Sequence, residues 1–328
     1  MLPKRVESWI DRWNAYWFPQ STGLQLAVCR IIIVAAQLFL FFPSLDAQLA
    51  LLRPFRGFIE PQILIVAISK IIPSSLFPTA AAFIVIYWTT FAAGITTLIG
   101  LFTRSSAFVF ALGNWILVAH LYSYGEDHHS ETILCIFLML LAFSPAGRRL
   151  SIDALINRSR TGSTGDNRDA ADMVDSALWP IKLTQVLLAF AYLSTGLAKL
   201  AYGGLTWMNG YTLQQIIFSS AIDRGIPIGI WLAQWHTVCQ VMSIGVILFE
   251  VFFFVSLLIP ATIPFFLLGG AAMHLGIYFA EGSDFFQYIL LYVVFINFEK
   301  LLAKSKVFSW MVYDNHELKI ASTAAQTR

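Results

Sequence analysis

The chain has 328 residues, of which 58% are hydrophobic and 12% are charged, and its formal net charge is +2. A soluble protein cannot hide this much apolar side chain, and several stretches reach the roughly 20 residues that a helix needs to cross a bilayer. The net charge says little about partners, and no stretch resembles a basic nucleic-acid surface. The composition predicts an all-α, polytopic membrane protein in contact with lipid.

The predicted elements begin with an interfacial amphipathic helix, in which charges are mixed with Trp9, Trp13 and Trp17. Two other apolar stretches, near 57–73 and 212–235, carry Pro, Gly and charges and are expected to be re-entrant or interfacial helices. About eight spans complete a transmembrane bundle, and they are predicted near 23–43, 79–101, 105–123, 130–144, 179–200, 238–259, 262–280 and 285–299.

Polar segments divide this chain. The stretch 145–177 is predicted to be a cytoplasmic linker between two halves of four spans each. The membrane domain is expected to cover 1–314, and the tail 315–328 is expected to be disordered.

With the N-terminus inside, fifteen Lys and Arg residues fall on the inner side and five on the outer side. Because positive residues favour the cytoplasmic side, both termini are expected on the cytoplasmic side of the membrane.

In this topology His129, Lys199 and His274 all fall at the outer side, each at or near the end of a span. Polar groups at such depth are costly unless they face protein or water, so their convergence predicts a buried chemical site that faces outward. No regular spacing of metal ligands accompanies them, and no metal is expected.

Lys199 shares one helical face with Tyr192, Thr195 and Gly196, at positions i, i+3, i+4 and i+7. One interpretation is that Lys199 snorkels to the headgroups and offsets the dipole of its helix. The other is a general base, which requires a neutral amine and therefore a desolvated one.

The histidines also have two interpretations. His128 and His129 precede Ser130, a plausible N-cap, and a helix N-terminus favours a neutral imidazole that can bond a substrate oxygen; a solvated loop position is the alternative. His274 follows Gly269-Gly270 and either belongs to the site or bonds a neighbouring helix. Two charged residues inside spans, Arg30 and Glu250, are expected to be structural, either paired with each other or acting separately.

Two motifs resemble the signature of the vitamin K-dependent γ-carboxylase membrane domain, whose bacterial members are called HTTM proteins. They are Tyr192-Leu-Ser-Thr-Gly-Leu-Ala-Lys199-Leu and Trp207-Met-Asn-Gly210-Tyr. The resemblance extends from about Ser21 to Phe298. It includes three further motifs, which are Asp127-His-His-Ser130, Ser151-Ile-Asp153 and Met273-His274.

The resemblance implies an enzyme of the lyase or oxidoreductase type that oxidises reduced vitamin K or a menaquinol-like quinol with oxygen. By position it implies that Lys199 is the base, that His129 assists it and that His274 is a further catalytic histidine. His128, Tyr124, Tyr192 and Trp207 are expected to bind the quinol. The chain differs from the animal enzymes in having Ala198 where they carry a second lysine, and it is expected to lack their lumenal domain. The resemblance to the bacterial members implies a bacterial inner (plasma) membrane.

The resemblance leaves the second substrate open between a small exported peptide or protein, a lipid and no second substrate. A non-catalytic alternative also fits the sequence, namely a membrane binding, maturation or immunity partner of such a peptide. A transporter ranks lower, because no paired broken helices or inverted repeat stand out.

Overall fold

The computed structural model describes residues 4–19, 21–52, 61–124, 130–161 and 177–303, without the side chains of 4–7, 161 and 303. Within these residues the regular structure is helical, which confirms the all-α prediction. The second part of the predicted linker, 162–176, and the predicted tail, 315–328, lie outside the described residues.

The helices follow the chain in an order close to the predicted one. They are α1 Lys4–Trp17, α2 Leu24–Phe39, α3 Leu45–Ala50, α4 Ile63–Ile71, α5 Ala80–Ile99, α6 Thr103–Tyr122, α7 Thr132–Ala142, α8 Ile152–Thr161, α9 Trp179–Gly203, α10 Tyr211–Arg224, α11 Pro227–Leu232, α12 His236–Phe252, α13 Val255–Leu258, α14 Ile263–Glu281, α15 Phe286–Leu291 and α16 Phe298–Ala303. Short 3₁₀ segments cover Gly204–Asn209, Pro260–Thr262 and Tyr292–Phe295.

In the part of the chain that the structure describes, four helical segments are long and apolar enough to cross a membrane by length and composition, and they are Ala80–Ile99, Thr103–Tyr122, Trp179–Asn209 and Pro260–Glu281. The other four predicted spans correspond to shorter apolar helices of 10–17 residues, namely Leu24–Phe39, Thr132–Ala142, His236–Phe252 and Phe286–Phe295. The span predicted over 238–259 is interrupted, because α12 ends at Phe252 and α13 begins at Val255. The two stretches predicted as interfacial or re-entrant contain α4 and the pair α10–α11.

The chain divides into two compact units. Unit 1 comprises residues 1–182 and 296–328, and α2 is its most deeply buried helix. Arg30 of α2 is fully buried, and its guanidinium donates hydrogen bonds to the carbonyl oxygens of Ala146 and Leu150. Those carbonyls belong to the segment between α7 and α8. Arg30 therefore ties this segment to α2, which is a structural role.

The first part of the predicted linker is ordered as α8, and this helix caps α6. Phe102, which precedes α6, has a left-handed backbone (φ 48°) and supplies no side-chain cap. The Asp153 carboxylate accepts hydrogen bonds from the amides of Phe102 (2.9 Å) and Thr103 (2.8 Å) instead. Burial alone would raise the pKa of Asp153, but these bonds and the Arg30 guanidinium outweigh it and hold the pKa below its ordinary value.

Unit 2 comprises residues 183–295, and it contains most of α9 together with α10 to α15. Its helices α10, α11 and α14 lie in close contact. A Cβ added to Gly229 of α11 would lie 2.0 Å from the carbonyl oxygen of Ala280 in α14, so only glycine permits this approach. The buried residues of this contact are Leu213, Ile217, Ala233, Cys239 and Ala280.

Candidate functional site

Unit 2 contains an ion pair between α9 and α12. Nζ of Lys199 lies 2.6 Å from Oε1 and 2.7 Å from Oε2 of Glu250. The side chains of Lys199 and Glu250 are 20% and 7% exposed. Lys199 therefore does not extend freely to the headgroups, because its amine is held by a buried carboxylate.

Gly196 explains why this pair can form. A Cβ added there would lie 2.9 Å from Cγ2 of Val251 and 3.0 Å from Cβ of Glu250, closer than packed atoms approach. The missing side chain lets the backbone of α12 come close to α9, one turn from Lys199. The predicted polar face is confirmed for Tyr192 and Gly196, which are buried, but Thr195 is exposed and bonds the backbone of its own helix.

Trp207 lies over the amine of Lys199, with 5.3 Å between Nζ and the ring centroid. The chain reverses at this point, since Gly204 and Gly210 both have positive φ angles, 57° and 87°. The hydroxyl of Ser243 donates to the carbonyl oxygen of Trp207 (2.6 Å) and so ties the turn to α12. The indole offers a cation–π contact that stabilises an ammonium group.

Three further polar side chains of unit 2 form a buried chain of hydrogen bonds. The Tyr192 hydroxyl lies 2.7 Å from Nε2 of His274 and 2.6 Å from the hydroxyl of Tyr292. Gly270 leaves room for the Tyr292 hydroxyl, because a Cβ on Gly270 would lie 2.0 Å from this hydroxyl oxygen. Tyr192, His274 and Tyr292 are at most 6% exposed, so this network lies inside the protein.

An apolar cavity of about 610 Å³ adjoins this network. Phe249 forms part of the cavity wall and also packs edge-on against Tyr192, with 5.1 Å between ring centroids. Glu281 is the one charged residue of the lining, which otherwise comprises Leu213, Ile217, Met242, Gly245, Val246, Leu248, Phe249, Phe252, Phe265, Phe266, Gly269, Ala272, Met273, Gly276, Ile277 and Ala280. This volume and composition suit a lipophilic molecule.

Four of the predicted site residues lie in unit 2, where they form two contacting pairs, Lys199 with Trp207 and Tyr192 with His274. Tyr124 belongs to unit 1, where its hydroxyl lies 3.5 Å from Nε2 of His120. The two loop histidines, His128 and His129, lie outside the described residues. No group of three His, Cys, Asp or Glu side chains that could hold a metal occurs in the described ranges.

Two contacts of the site are not predicted by the sequence. Of the two alternatives for Arg30 and Glu250, pairing with each other is wrong, because Glu250 pairs with Lys199 and Arg30 bonds backbone carbonyls. Tyr292 was not singled out, because a tyrosine in an apolar stretch is ordinary. An intramembrane carboxylate and an intramembrane lysine in neighbouring spans were the available signal for the ion pair.

These features define a helical membrane protein with a buried ion pair, a buried tyrosine–histidine network and an apolar cavity in one unit. The HTTM domain family model matches residues 25–300, and the chain belongs to this family. The match confirms the HTTM membership that the motifs indicated. No curated protein and no solved structure matches the chain.

Proposed function

We propose that this protein is a membrane enzyme that oxidises a lipophilic hydroquinone, such as reduced vitamin K or menaquinol. The ion pair between Lys199 and Glu250 is the observation that carries this proposal. Burying two charges costs several kcal/mol per ion, and apolar side chains of similar volume would join the two helices at lower cost. A buried ion pair in the same unit as a lipophilic cavity therefore suggests chemistry.

Glu250 supplies what a lysine base needs. The amine of Lys199 must be neutral to accept a proton, and transfer of its proton to Glu250 converts the ion pair into a neutral amine and a neutral acid. Lys199 would then deprotonate a quinol hydroxyl, and the anion formed gives up electrons more readily than the neutral diol does. By family resemblance the oxidant is oxygen, which would take up two electrons and two protons per quinol, so that quinol and oxygen give quinone and hydrogen peroxide.

The cavity supports the lipophilic part of this proposal. Its wall is almost wholly apolar, so a prenyl chain or a naphthalene ring would lose water-exposed surface on entering it. Phe249 lies between the cavity and Tyr192, so a ring bound in the cavity would approach the polar network at this side chain. Trp207, above the amine, would cover a ring held at Lys199.

The distribution of Lys and Arg supports an orientation in which this site faces outward, with both termini in the cytoplasm. An exported peptide would meet such a site after leaving the cytoplasm, which makes a small peptide the class of second substrate that we propose. The alternative function is a non-catalytic partner of such a peptide. The near absence of charge in the cavity lining favours this alternative, because a cavity that only binds an apolar peptide segment needs no reactive side chain.

The test uses the full-length protein in lipid nanodiscs with menaquinol and dissolved oxygen. Oxygen uptake and the absorbance of the quinone product are measured for the wild type, Lys199→Met and Glu250→Gln. Lys182→Met is the matched control, because Lys182 lies on the same helix about 25 Å away along its axis. Mass spectrometry of molecules that copurify identifies a bound quinone or peptide.

We expect quinol-dependent oxygen uptake in the wild type and the control, and a loss of at least about a hundredfold in the two site variants. Equal uptake in Lys199→Met and wild type would exclude Lys199 as the base. A copurifying peptide without any quinol turnover would establish the non-catalytic alternative.

A further inference from the structure

The hydrogen bonds of the network formed by Tyr192, His274 and Tyr292 determine where its protons lie. The Tyr192 hydroxyl is bonded on one side to the Tyr292 hydroxyl and on the other to Nε2 of His274. Nδ1 of His274 has no hydrogen-bond partner among the described residues, although the side chain is 95% buried, with only 5% of the residue exposed. Each phenol can donate one hydrogen, and a neutral imidazole donates from one nitrogen only.

Two directions of donation are possible. In the first, Tyr292 donates to Tyr192, Tyr192 donates to Nε2, and the imidazole proton is on Nδ1. Both hydroxyl protons are then bonded, and only the N–H at Nδ1 lacks a partner. In the second, Nε2 donates to Tyr192, and one of the two hydroxyl protons is left buried without an acceptor, in addition to the bare Nδ1. Because each buried unsatisfied group costs roughly 1–3 kcal/mol, the first direction is preferred.

We infer that His274 is held as the Nδ1–H tautomer and that this N–H donates to an acceptor oxygen of a bound small molecule. The unpartnered atom is a donor, so it selects a carbonyl oxygen or an oxyanion over a neutral hydroxyl that must itself donate. The rings of Phe285 and Tyr288 pack against the imidazole, with 5.5 Å and 5.4 Å between centroids, so aromatic side chains surround His274. The inference rests on the proposed function only in taking that ligand to be a quinone.

This assignment gives the two tyrosines different roles. Tyr192 is a positioning residue, because its hydroxyl proton occupies Nε2 and so keeps the imidazole proton on Nδ1. Tyr292 orients the Tyr192 hydroxyl by donating to its oxygen. Removing Tyr192 leaves both tautomers of His274 available, whereas removing Tyr292 leaves the bond from Tyr192 to Nε2 possible. Tyr192→Phe is therefore expected to change the tautomer of His274, and Tyr292→Phe is not.

The test is nitrogen NMR of histidine-labelled, full-length protein in nanodiscs. The chain has 6 histidines, and the signal of His274 is identified by its absence in His274→Asn. We expect Nδ1 to be protonated and Nε2 unprotonated in the wild type and in Tyr292→Phe, and a mixture of tautomers in Tyr192→Phe. Protonation at Nε2 in the wild type would overturn the inference.

The ligand part is tested with menadione, a naphthoquinone without a tail, and with 2-methylnaphthalene, which has the same ring and no oxygen. We expect menadione alone to shift the Nδ1–H signal. Equal shifts with both compounds, or no shift with either because water occupies the position, would overturn the acceptor-oxygen site. His274→Asn retains an amide donor near the Nδ1 position and His274→Gln places it near Nε2, so only His274→Asn is expected to retain menadione binding to within about tenfold.

The outcomes separate this inference from the proposed function. A Nδ1–H tautomer that responds to menadione, in a protein without quinol-dependent oxygen uptake, supports the inference and contradicts the enzyme. Oxygen uptake that depends on Lys199, with His274 protonated at Nε2, supports the enzyme and overturns the inference.

Discussion

Both carboxylate oxygens of Glu250 lie within 2.7 Å of Nζ of Lys199, although the two residues are 51 positions apart in the chain. Removing one partner leaves a buried charge uncompensated, so Lys199→Met and Glu250→Met are each expected to lower the free energy of unfolding by about 3 kcal/mol. The double variant, Lys199→Met with Glu250→Met, is expected to recover most of this loss, because it leaves no buried charge. Denaturant unfolding in detergent, followed by tryptophan fluorescence, measures all three. Additive losses in the double variant would show that the pair has no coupling energy.

Gly196 is expected to be intolerant of even one methyl group. In Gly196→Ala the new Cβ meets Val251 and Glu250 at 2.9–3.0 Å, so α12 must move away from α9 and lengthen the ion pair. We expect a loss of about 1–3 kcal/mol in the same unfolding assay. Gly245→Ala is the matched control, because Gly245 is also helical, and its Cβ would meet nothing within 4 Å. The control is expected to be neutral or up to about 1 kcal/mol more stable. Equal behaviour of the two alanines would contradict the close approach.

The cavity predicts a graded effect of side-chain volume at Gly276. This residue lines the cavity, and a Cβ added to it meets nothing within 4 Å. The series Gly276→Ala, Gly276→Leu and Gly276→Phe fills the cavity progressively, so we expect KM for menaquinol to rise along the series, by about tenfold or more for Phe. The rate constant kcat should change little, in contrast to Lys199→Met, in which kcat falls. A KM independent of side-chain volume would exclude this cavity as the quinol site.

The sequence predicted the apolar helices well, because a long apolar stretch in a membrane has little alternative to a helix. It predicted Tyr192 and Gly196 as an inward face because helical periodicity is a local property. The partners of that face were not local. Glu250 reaches Lys199 only because Gly196 permits close packing, and Tyr292 reaches Tyr192 from a segment a hundred residues further on. Such contacts depend on the packing of separate helices, which one sequence does not encode in any short pattern.

The proposed orientation predicts opposite accessibility for two exposed leucines. Leu205 lies in the 3₁₀ turn beside Trp207 and is 78% exposed, and Leu155 lies in α8 and is 62% exposed. The native cysteines Cys29, Cys135 and Cys239 are buried, so single cysteines can be introduced with little background. In intact cells a membrane-impermeant maleimide is expected to label Leu205→Cys and to label Leu155→Cys only after the membrane is opened. The reverse pattern would invert the topology and place the site on the cytoplasmic side.

Asp153 gives unit 1 a dependence on pH that can be assigned to one carboxylate. Its pKa in the folded protein lies below the ordinary value of 3.8, since the amides of Phe102 and Thr103 and the Arg30 guanidinium stabilise the charged form. A group whose pKa is lowered by folding contributes its full stabilisation above the ordinary value and loses it as the pH falls through the lower, folded-state pKa.

Asp153→Asn is therefore expected to cost about 1 kcal/mol of unfolding free energy at neutral pH, as the loss of a helix cap does. The difference from wild type should shrink as the pH is lowered below about 4, where the aspartate of the unfolded chain becomes protonated. Asp46→Asn is the control, because Asp46 is exposed and the hydroxyl of Ser44 already caps its helix. A cost for Asp153→Asn that stays constant into the acid range would mean that the charge of the carboxylate contributes nothing, and that the hydrogen-bond geometry of the side chain alone caps α6.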